Sequence, residues 1–407
     1  MSSAADFRLR DVAVPAFAPS IVNAVGLGAI TPVLALLARD LGASVGQAAF
    51  VVALLGLGSL VGSLPAGALV ARIGERRALV LAGVVDAAAM ALAALAPSVW
   101  VLGVAVVVSG MAWTVFLLAR QGFLIVVAPP QLRARAMSTL GGSHRIGAFV
   151  GPVVGGGLLA LTQDLRSVFW LAAVMALLAA LVVVLAPDLT AEHEGGPGRA
   201  RPESVLRVLR QHLRTLLSVG SAVVVIAGAR SLRITLLPLW ADHLGISAST
   251  TSLVFGAAAL LEIALFYPAG WVMDRHGRTA VAVPVVALLG LGVLSLPLTS
   301  GLVGFTALAL LMAVGNGLGS GIVMTLGADT APEQGRAQYL GGFRLTGDIG
   351  GAGGPLVVSA LALVLPLGVV CLTLGAACLA GSGWVAHRVS RIDRGRRGLA
   401  RAQRDAP

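Results

Sequence analysis

The sequence predicts an all-α integral membrane protein, with twelve transmembrane helices in two six-helix halves related by pseudo-symmetry. Three observations predict it. Hydrophobic residues make up 57% of the 407 and charged residues only 12%, with mean hydropathy +0.93, whereas a soluble domain carries about 25% charged residues. Apolar runs of roughly twenty residues, the length a helix needs to cross a bilayer, follow one another with short polar punctuation. Part of the chain is also written twice. Pro65-Ala66-Gly67, then Arg72 and Gly74, returns 203 residues later as Pro268-Ala269-Gly270, then Arg275 and Gly277. The same shift carries Leu41-Gly42 onto Leu244-Gly245, Pro129 onto Pro332, Arg133 onto Arg336 and Gly151-Pro152 onto Gly354-Pro355, with no gap. Two halves of one plan imply duplication.

In order, the apolar stretches lie at about 13–38, 46–71, 78–96, 99–128, 137–162, 167–187, 216–241, 249–273, 279–298, 302–328, 338–364 and 366–387. The first is too long for the apolar core of a signal peptide and reads as helix one. Several exceed twenty residues, which implies tilt or irregular ends. Glycine is abundant, 52 residues, as close-packed membrane helices prefer. The polar segment 188–215 holds Asp188, Glu192, Glu194, Gly195-Gly196-Pro197-Gly198 and then arginines. The chain therefore divides into a half at 1–187, a linker at 188–215, a half at 216–388 and an arginine-rich tail at 389–407. Within the linker, 203–214 can form an amphipathic surface helix.

All 29 basic residues are arginines, and the net charge is +11. With the amino terminus inside, 22 arginines fall on inner segments, seven of them from Arg388 to Arg404. The outer loops hold only Arg39 and Arg166. This inside bias places both termini in the cytoplasm of a cell-membrane protein. It accounts for the charge without nucleic acid, and the tail reads as a topology and anionic-lipid element. Cys371 and Cys378 share one face of the last stretch and read as packing. The six histidines have no metal-ligand spacing, and no nucleophile–base pair or phosphate loop is present. No metal, cofactor or enzymatic activity is expected.

The duplicated segment resembles the Gly-x-x-x-Asp-Arg-x-Gly-Arg-Arg motif of the major facilitator superfamily of secondary transporters. The first copy reads Gly67, Ala71, Arg72, Gly74, Arg76, Arg77, with Ala71 in place of the aspartate. The second keeps the acid: Gly270, Asp274, Arg275, Gly277, Arg278. In helix five, Gly147, Gly151, Pro152, Gly155 and Gly156 resemble the stretch typical of the superfamily's antiporters, especially drug–proton exporters. Arg120, followed by Gln121-Gly122, is similar to the arginine motif of those exporters, with contracted spacing. The resemblance covers nearly the whole chain. It implies the superfamily fold, a small organic substrate and alternating access across the bilayer. It also implies that helices one and ten, with Asn23 and Asn316, line the cavity, and that helices three and nine are peripheral.

Physical chemistry gives these residues roles. Small residues at four-residue spacing let helices approach, and proline bends one. Helix five is thus expected to be bent and closely packed at the contact between the halves, although glycines also serve ordinary membrane packing. Asp274 beside the inner arginines can form a pair that locks one conformation and breaks in another. The same arginines also obey the inside bias.

Ionisable groups inside the bilayer are functional candidates because each one there costs about 2.5–3.5 kcal/mol on insertion scales. The interior set is Asp86, Arg120, Arg145, Arg230, Arg233, Glu262, Arg344 and Asp348. Under the shift of 203, Arg120 maps to Val323, Arg230 to Leu27, Arg233 to Ile30, Glu262 to Ser59 and Arg145 to Asp348, of opposite sign. The scaffold repeats and the buried charges do not, as a single coupling and substrate site requires. Arg230 and Glu262 lie at similar depth, about 16 and 20 Å from the outer ends of their helices. Arg233 sits one turn from Arg230, and Arg344 and Asp348 can pair locally. Glu262 is the first choice for the proton carrier and Asp348 the second. Burial favours the protonated carboxyl and a neighbouring arginine the ionised one, so proton occupancy can follow conformation. A purely structural ion pair is the competing account.

The chain is therefore expected to be a proton-coupled exporter of a small organic molecule. The alternatives are a metabolite importer or uniporter, and a transporter-like sensor that moves no solute.

Overall fold

The computed structural model of the chain describes residues 13–127, 132–186, 210–332, 334 and 336–404. Among them all regular structure is helical. Two compact units result: 1–198 with 245–259, and 199–244 with 260–407.

Unit 1 holds α1 (Ala13–Ile30), α2 (Leu34–Asp40), α3 (Val45–Ile73), α4 (Glu75–Ala94), α5 (Val99–Val127), α6 (Arg133–Thr162) and α7 (Arg166–Leu185). α1 packs on α6 and α7, α3 on α5, and α4 on α5 and α7. α1 and α2 are bent by 41°. The turn after α2 ends in a capping box: Ser44 Oγ accepts from Gln47 N at 3.2 Å, and Gln47 Oε1 accepts from Ser44 N at 2.8 Å. This satisfies two amides that α3 would otherwise leave bare.

Unit 2 holds α8 (Leu213–His243), the inner part of α9 (Ala248–His276), α10 (Thr279–Ser295), α11 (Leu302–Leu318), α12 (Ile322–Thr330), α13 (Arg336–Leu361) and α14 (Leu367–Arg404). A 3-10 turn at Gly319–Gly321 joins α11 to α12. α8 packs on α13 and α14, and α10 on α11 and α14, repeating the pairings of α1 with α6 and α7, and of α4 with α5 and α7. The outer part of α9, to Ala259, is grouped with unit 1.

Four glycines have positive φ: Gly42 (85°), Gly74 (81°), Gly245 (69°) and Gly277 (99°). They are two pairs at the 203-residue shift. At each, the chain leaves a helix in a backbone region closed to most side chains, so the repeated glycines are geometric requirements of the repeated turns.

Among the described residues, ten helices are long and apolar enough to cross a membrane, or eleven with the bent α1–α2 pair. The twelfth expected stretch is α13, 26 residues packed on α8 as α6 packs on α1. Arg344 and Asp348 interrupt its apolar run. Residues 188–209 of the expected linker, including most of the surface helix at 203–214, lie outside the described residues, and the linker ends sooner than 215 because α8 begins at Leu213. The tail expected from 389 is not separate from the last span, because α14 continues as helix to Arg404.

Candidate functional site

The sharpest cluster lies in unit 2. Arg233 Nη1 pairs with Glu262 Oε1 at 2.5 Å. Asn316 Nδ2 donates to Glu262 Oε2 at 2.6 Å, and Arg230 Nε donates to Asn316 Oδ1 at 2.6 Å. The chain Arg233–Glu262–Asn316–Arg230 links α8, α9 and α11. α9 and α11 meet here because residue 317 is glycine; a Cβ there would stand 3.0 Å from the Cα of Glu262. Arg233 is buried and the Glu262 side chain is 15% exposed. Charge-assisted hydrogen bonds in such surroundings are short and strong. The sequence reasoning placed Arg230 near Glu262; Asn316 links the two, and Arg233 pairs with the carboxylate.

The other predicted residues scatter. Arg344 is exposed and Asp348 half-buried, and no ion pair joins them among the described residues. The four-residue spacing puts both on one face of α13, but the side chains do not close into a pair. In unit 1, Arg120 is 1% exposed and its Nε donates to Ser20 Oγ of α1 at 2.8 Å. Its guanidinium lies 5.9 Å from the Phe123 ring. Asn23 sits one turn from Ser20 and reaches Asp86 at 3.5 Å. Arg145 lies half-buried on α6.

The helix-five glycines pack mainly on α1 of the same unit. A Cβ on Gly147 would meet Ala24 and Ile21, one on Gly151 the backbone of residues 25–29, and one on Gly155 Ala29. Pro152 lies against Gly28. Gly156 alone meets the second half of the sequence: Ser249 Oγ, on the outer end of α9, donates to its carbonyl at 2.7 Å. Gly147, Gly151 and Gly155 thus serve the packing of α6 on α1 within unit 1. Gly350 and Gly354 of α13 repeat the packing against α8.

The two copies of the motif loop differ in polarity. In unit 1, Arg76 donates to the Val184 and Ala186 carbonyls at the end of α7, at 2.9 and 2.8 Å. Arg72 and Arg77 are exposed. In unit 2, Arg278 is buried and its Nε donates to Asp329 of α12 at 2.8 Å. Asp274, the acid singled out by the motif, is 3.6 Å from Arg278 and 79% exposed. Asp393 of α14 accepts from the amides of Arg278 and Thr279, each at 2.9 Å, and from Thr279 Oγ1 at 2.7 Å. It caps α10 from outside that helix. Arg275 lies 5.3 Å over the Trp271 ring. Gly67 and Gly270 face open space. Sequence reasoning missed Asp329 and Asp393. The asymmetry that singled out Glu262 also marks Asp329, whose counterpart is Val126.

Comparisons with known proteins agree with this architecture. The family model of the Major Facilitator Superfamily matches residues 17–355. An uncharacterised MFS-type transporter of Mycobacterium tuberculosis is 28% identical over 392 residues, covering 90% of this chain and 88% of that protein. The multidrug resistance protein MdtH of Yersinia pestis is 28% identical over 316 residues, covering 75% of this chain and 76% of its own. Two solved structures share the fold. One is a bacterial homologue of the human lysosomal transporter Spinster, with TM-score 0.70, 16% identity and 94% of each chain covered. The other is a D-xylose–proton symporter, with TM-score 0.71, 14% identity and 93% and 97% covered. With paired helical units, a duplicated inner-loop motif and a family match across most of its length, the chain belongs to the Major Facilitator Superfamily.

Proposed function

We propose that the chain is a proton-coupled exporter of a small organic molecule in the cell membrane, with both termini in the cytoplasm. One observation carries the reading: Glu262 is shared between Arg233 and Asn316, and Asn316 in turn holds Arg230. A proton on Glu262 removes the charge that fixes all three. With that charge gone, the arginines can hold a substrate in one facing state and release it in the other. Likeness to a protein named for multidrug resistance supports export. The test is transport into inverted vesicles across a compound panel, with and without a pH gradient. Uptake indifferent to the gradient for every compound overturns proton coupling. For topology, tags after residue 195 and at the carboxyl terminus are expected to be cytoplasmic, and a tag near Asp164 external. An external tag at 195 breaks the arrangement.

A second reading, uptake of an anion, is favoured by one feature of the same cluster: it holds two guanidiniums and one carboxylate, Arg233 on Glu262 directly and Arg230 through Asn316. The cluster gains positive charge when Glu262 is protonated, so an anion and a proton bind together and travel together. A cation instead competes with the proton for Glu262 and is driven out. Benzoate and tetraphenylphosphonium separate the cases. Binding that strengthens on acidification for benzoate supports uptake, and binding that weakens for tetraphenylphosphonium supports export.

The inner loop of unit 2 acts in this proposal as the cytoplasmic lock, with Arg278 as its centre. Asp329→Asn removes a short charge-assisted bond and is expected to lower transport about tenfold. Asp274→Asn removes an exposed pair, and the expected loss is about threefold. Both proteins should remain folded in the membrane by size-exclusion profile. Full activity in both variants sinks the lock.

A further inference from the structure

Asp86 lies midway along α4 and has no part in the cluster or the lock. Its carboxylate meets two neutral side chains from two other helices. Ser109 Oγ of α5 donates to Oδ1 at 2.6 Å, and Asn23 Nδ2 of α1 lies 3.5 Å from Oδ2. Asn23 and Ser109 are themselves buried. The charged groups on the neighbouring helices stand at their ends. α1 carries none, α3 only Arg72 and α7 only Arg166, while α4 adds Glu75, Arg76 and Arg77 in its first turn. Arg166 donates to the carbonyls of Ala94 and Ala96 at the outer end. Arg120, the one charge on α5, lies about 16 Å of helix from Ser109. No histidine, cysteine or tyrosine occurs on these five helices. Among the described residues, then, no cation faces Asp86.

An ionised carboxylate held only by a hydroxyl and an amide in a bilayer is strongly unfavourable. The acid form fits the same place. With the Asn23 amide turned, Oδ2–H donates to Asn23 Oδ1 while Ser109 still donates to Oδ1.

The duplication supplies an internal control. The residues of unit 2 at the positions of Asn23, Asp86 and Ser109 are Ile226, Leu289 and Met312, all 0% exposed. The scaffold therefore builds this junction from apolar side chains in one unit, and the fold does not require a polar trio in the other. The acid is a departure that serves something besides packing.

We propose that Asp86 is a second proton-binding site of this transporter, a carboxylic acid held between α1, α4 and α5 whose proton leaves when water reaches that junction. It differs in kind from Glu262. A proton reaching Glu262 displaces an arginine, whereas a proton leaving Asp86 uncovers an unpaired charge. Release at Asp86 thus favours a conformation in which α1 no longer closes the junction.

The test reads Asp86 alone, so it stands or falls separately from the role given to Glu262. Infrared difference spectra of the full chain in lipid nanodiscs are recorded for wild type against Asp86→Asn, at neutral and alkaline pH. The expected result is a protonated-carboxyl band at neutral pH that belongs to Asp86, is lost on alkalinisation, and behaves alike in a Glu262→Gln background. A carboxylate band at neutral pH overturns the proposal, as does an acid band that no pH alters. Should Asp86→Asn fold poorly, the triple variant Asn23→Ile, Asp86→Leu, Ser109→Met carries the trio of unit 2 and serves as the reference.

Discussion

Glu262→Gln protein in inverted vesicles is expected to lose pH-gradient-driven accumulation by at least about tenfold while retaining downhill exchange. The amide cannot ionise, so it mimics the protonated acid and removes the negative charge that faces Arg233 at all pH values. One pKa unit of difference between two facing states corresponds to about 1.4 kcal/mol, enough to bias them tenfold. Removing the group that titrates removes that bias altogether. Asn316 remains beside Arg230 in the variant, so substrate binding need not fall with coupling. A Glu262→Gln protein that still concentrates substrate against its gradient rules Glu262 out and makes Asp348 the next acid to test.

The largest effect on stability is expected from Gly151→Leu. Even a single added carbon there meets backbone, with Ala29 N at 2.6 Å and Gly28 C at 2.8 Å. A flexible neighbour can turn aside, but the backbone of α1 can yield only by shifting the whole helix. Overpacking of this kind costs about 1–3 kcal/mol and sometimes more, and leucine adds volume beyond Cβ. The melting temperature in detergent should fall by several degrees or the protein should fail to accumulate. Gly157→Leu, two turns' register away from α1 with nothing within 4 Å of its Cβ position, is the matched control and should melt like wild type. Equal stability of the two variants would mean that α1 and α6 are not held at this distance.

What the sequence made legible was whatever is expensive or repeated. Glu262, Arg230 and Arg233 stood out because a charge in a bilayer is costly and because none recurs at the shift of 203. The glycines at 42, 74, 245 and 277 stood out as pairs, and each pair proved to share an unusual backbone conformation. Side-chain pairing was not legible. Arg344 and Asp348 share a helix face, yet no ion pair joins them among the described residues. The helix-five glycines had the right spacing for close approach, but the spacing does not say which helix approaches, and most of them face α1. Asp329 and Asp393 passed unnoticed because an acid at a membrane face is ordinary. Ser109 passed unnoticed because a helical serine usually bonds its own backbone. Their significance comes from partners 51, 115 and 23 residues away in the chain.

The cap that Asp393 provides has a practical consequence for anyone shortening this protein. A boundary drawn at 389, where hydropathy ends and the arginines begin, would discard the side chain that receives two amides and a hydroxyl at the start of α10. The trimmed protein would leave those donors to water and loosen the loop around Arg278. Any apparent requirement for the basic tail measured with such a truncation would mix the loss of its positive charge with the loss of one aspartate. Neutralising Arg396, Arg397, Arg401 and Arg404 in the full-length chain keeps Asp393 and isolates the charge.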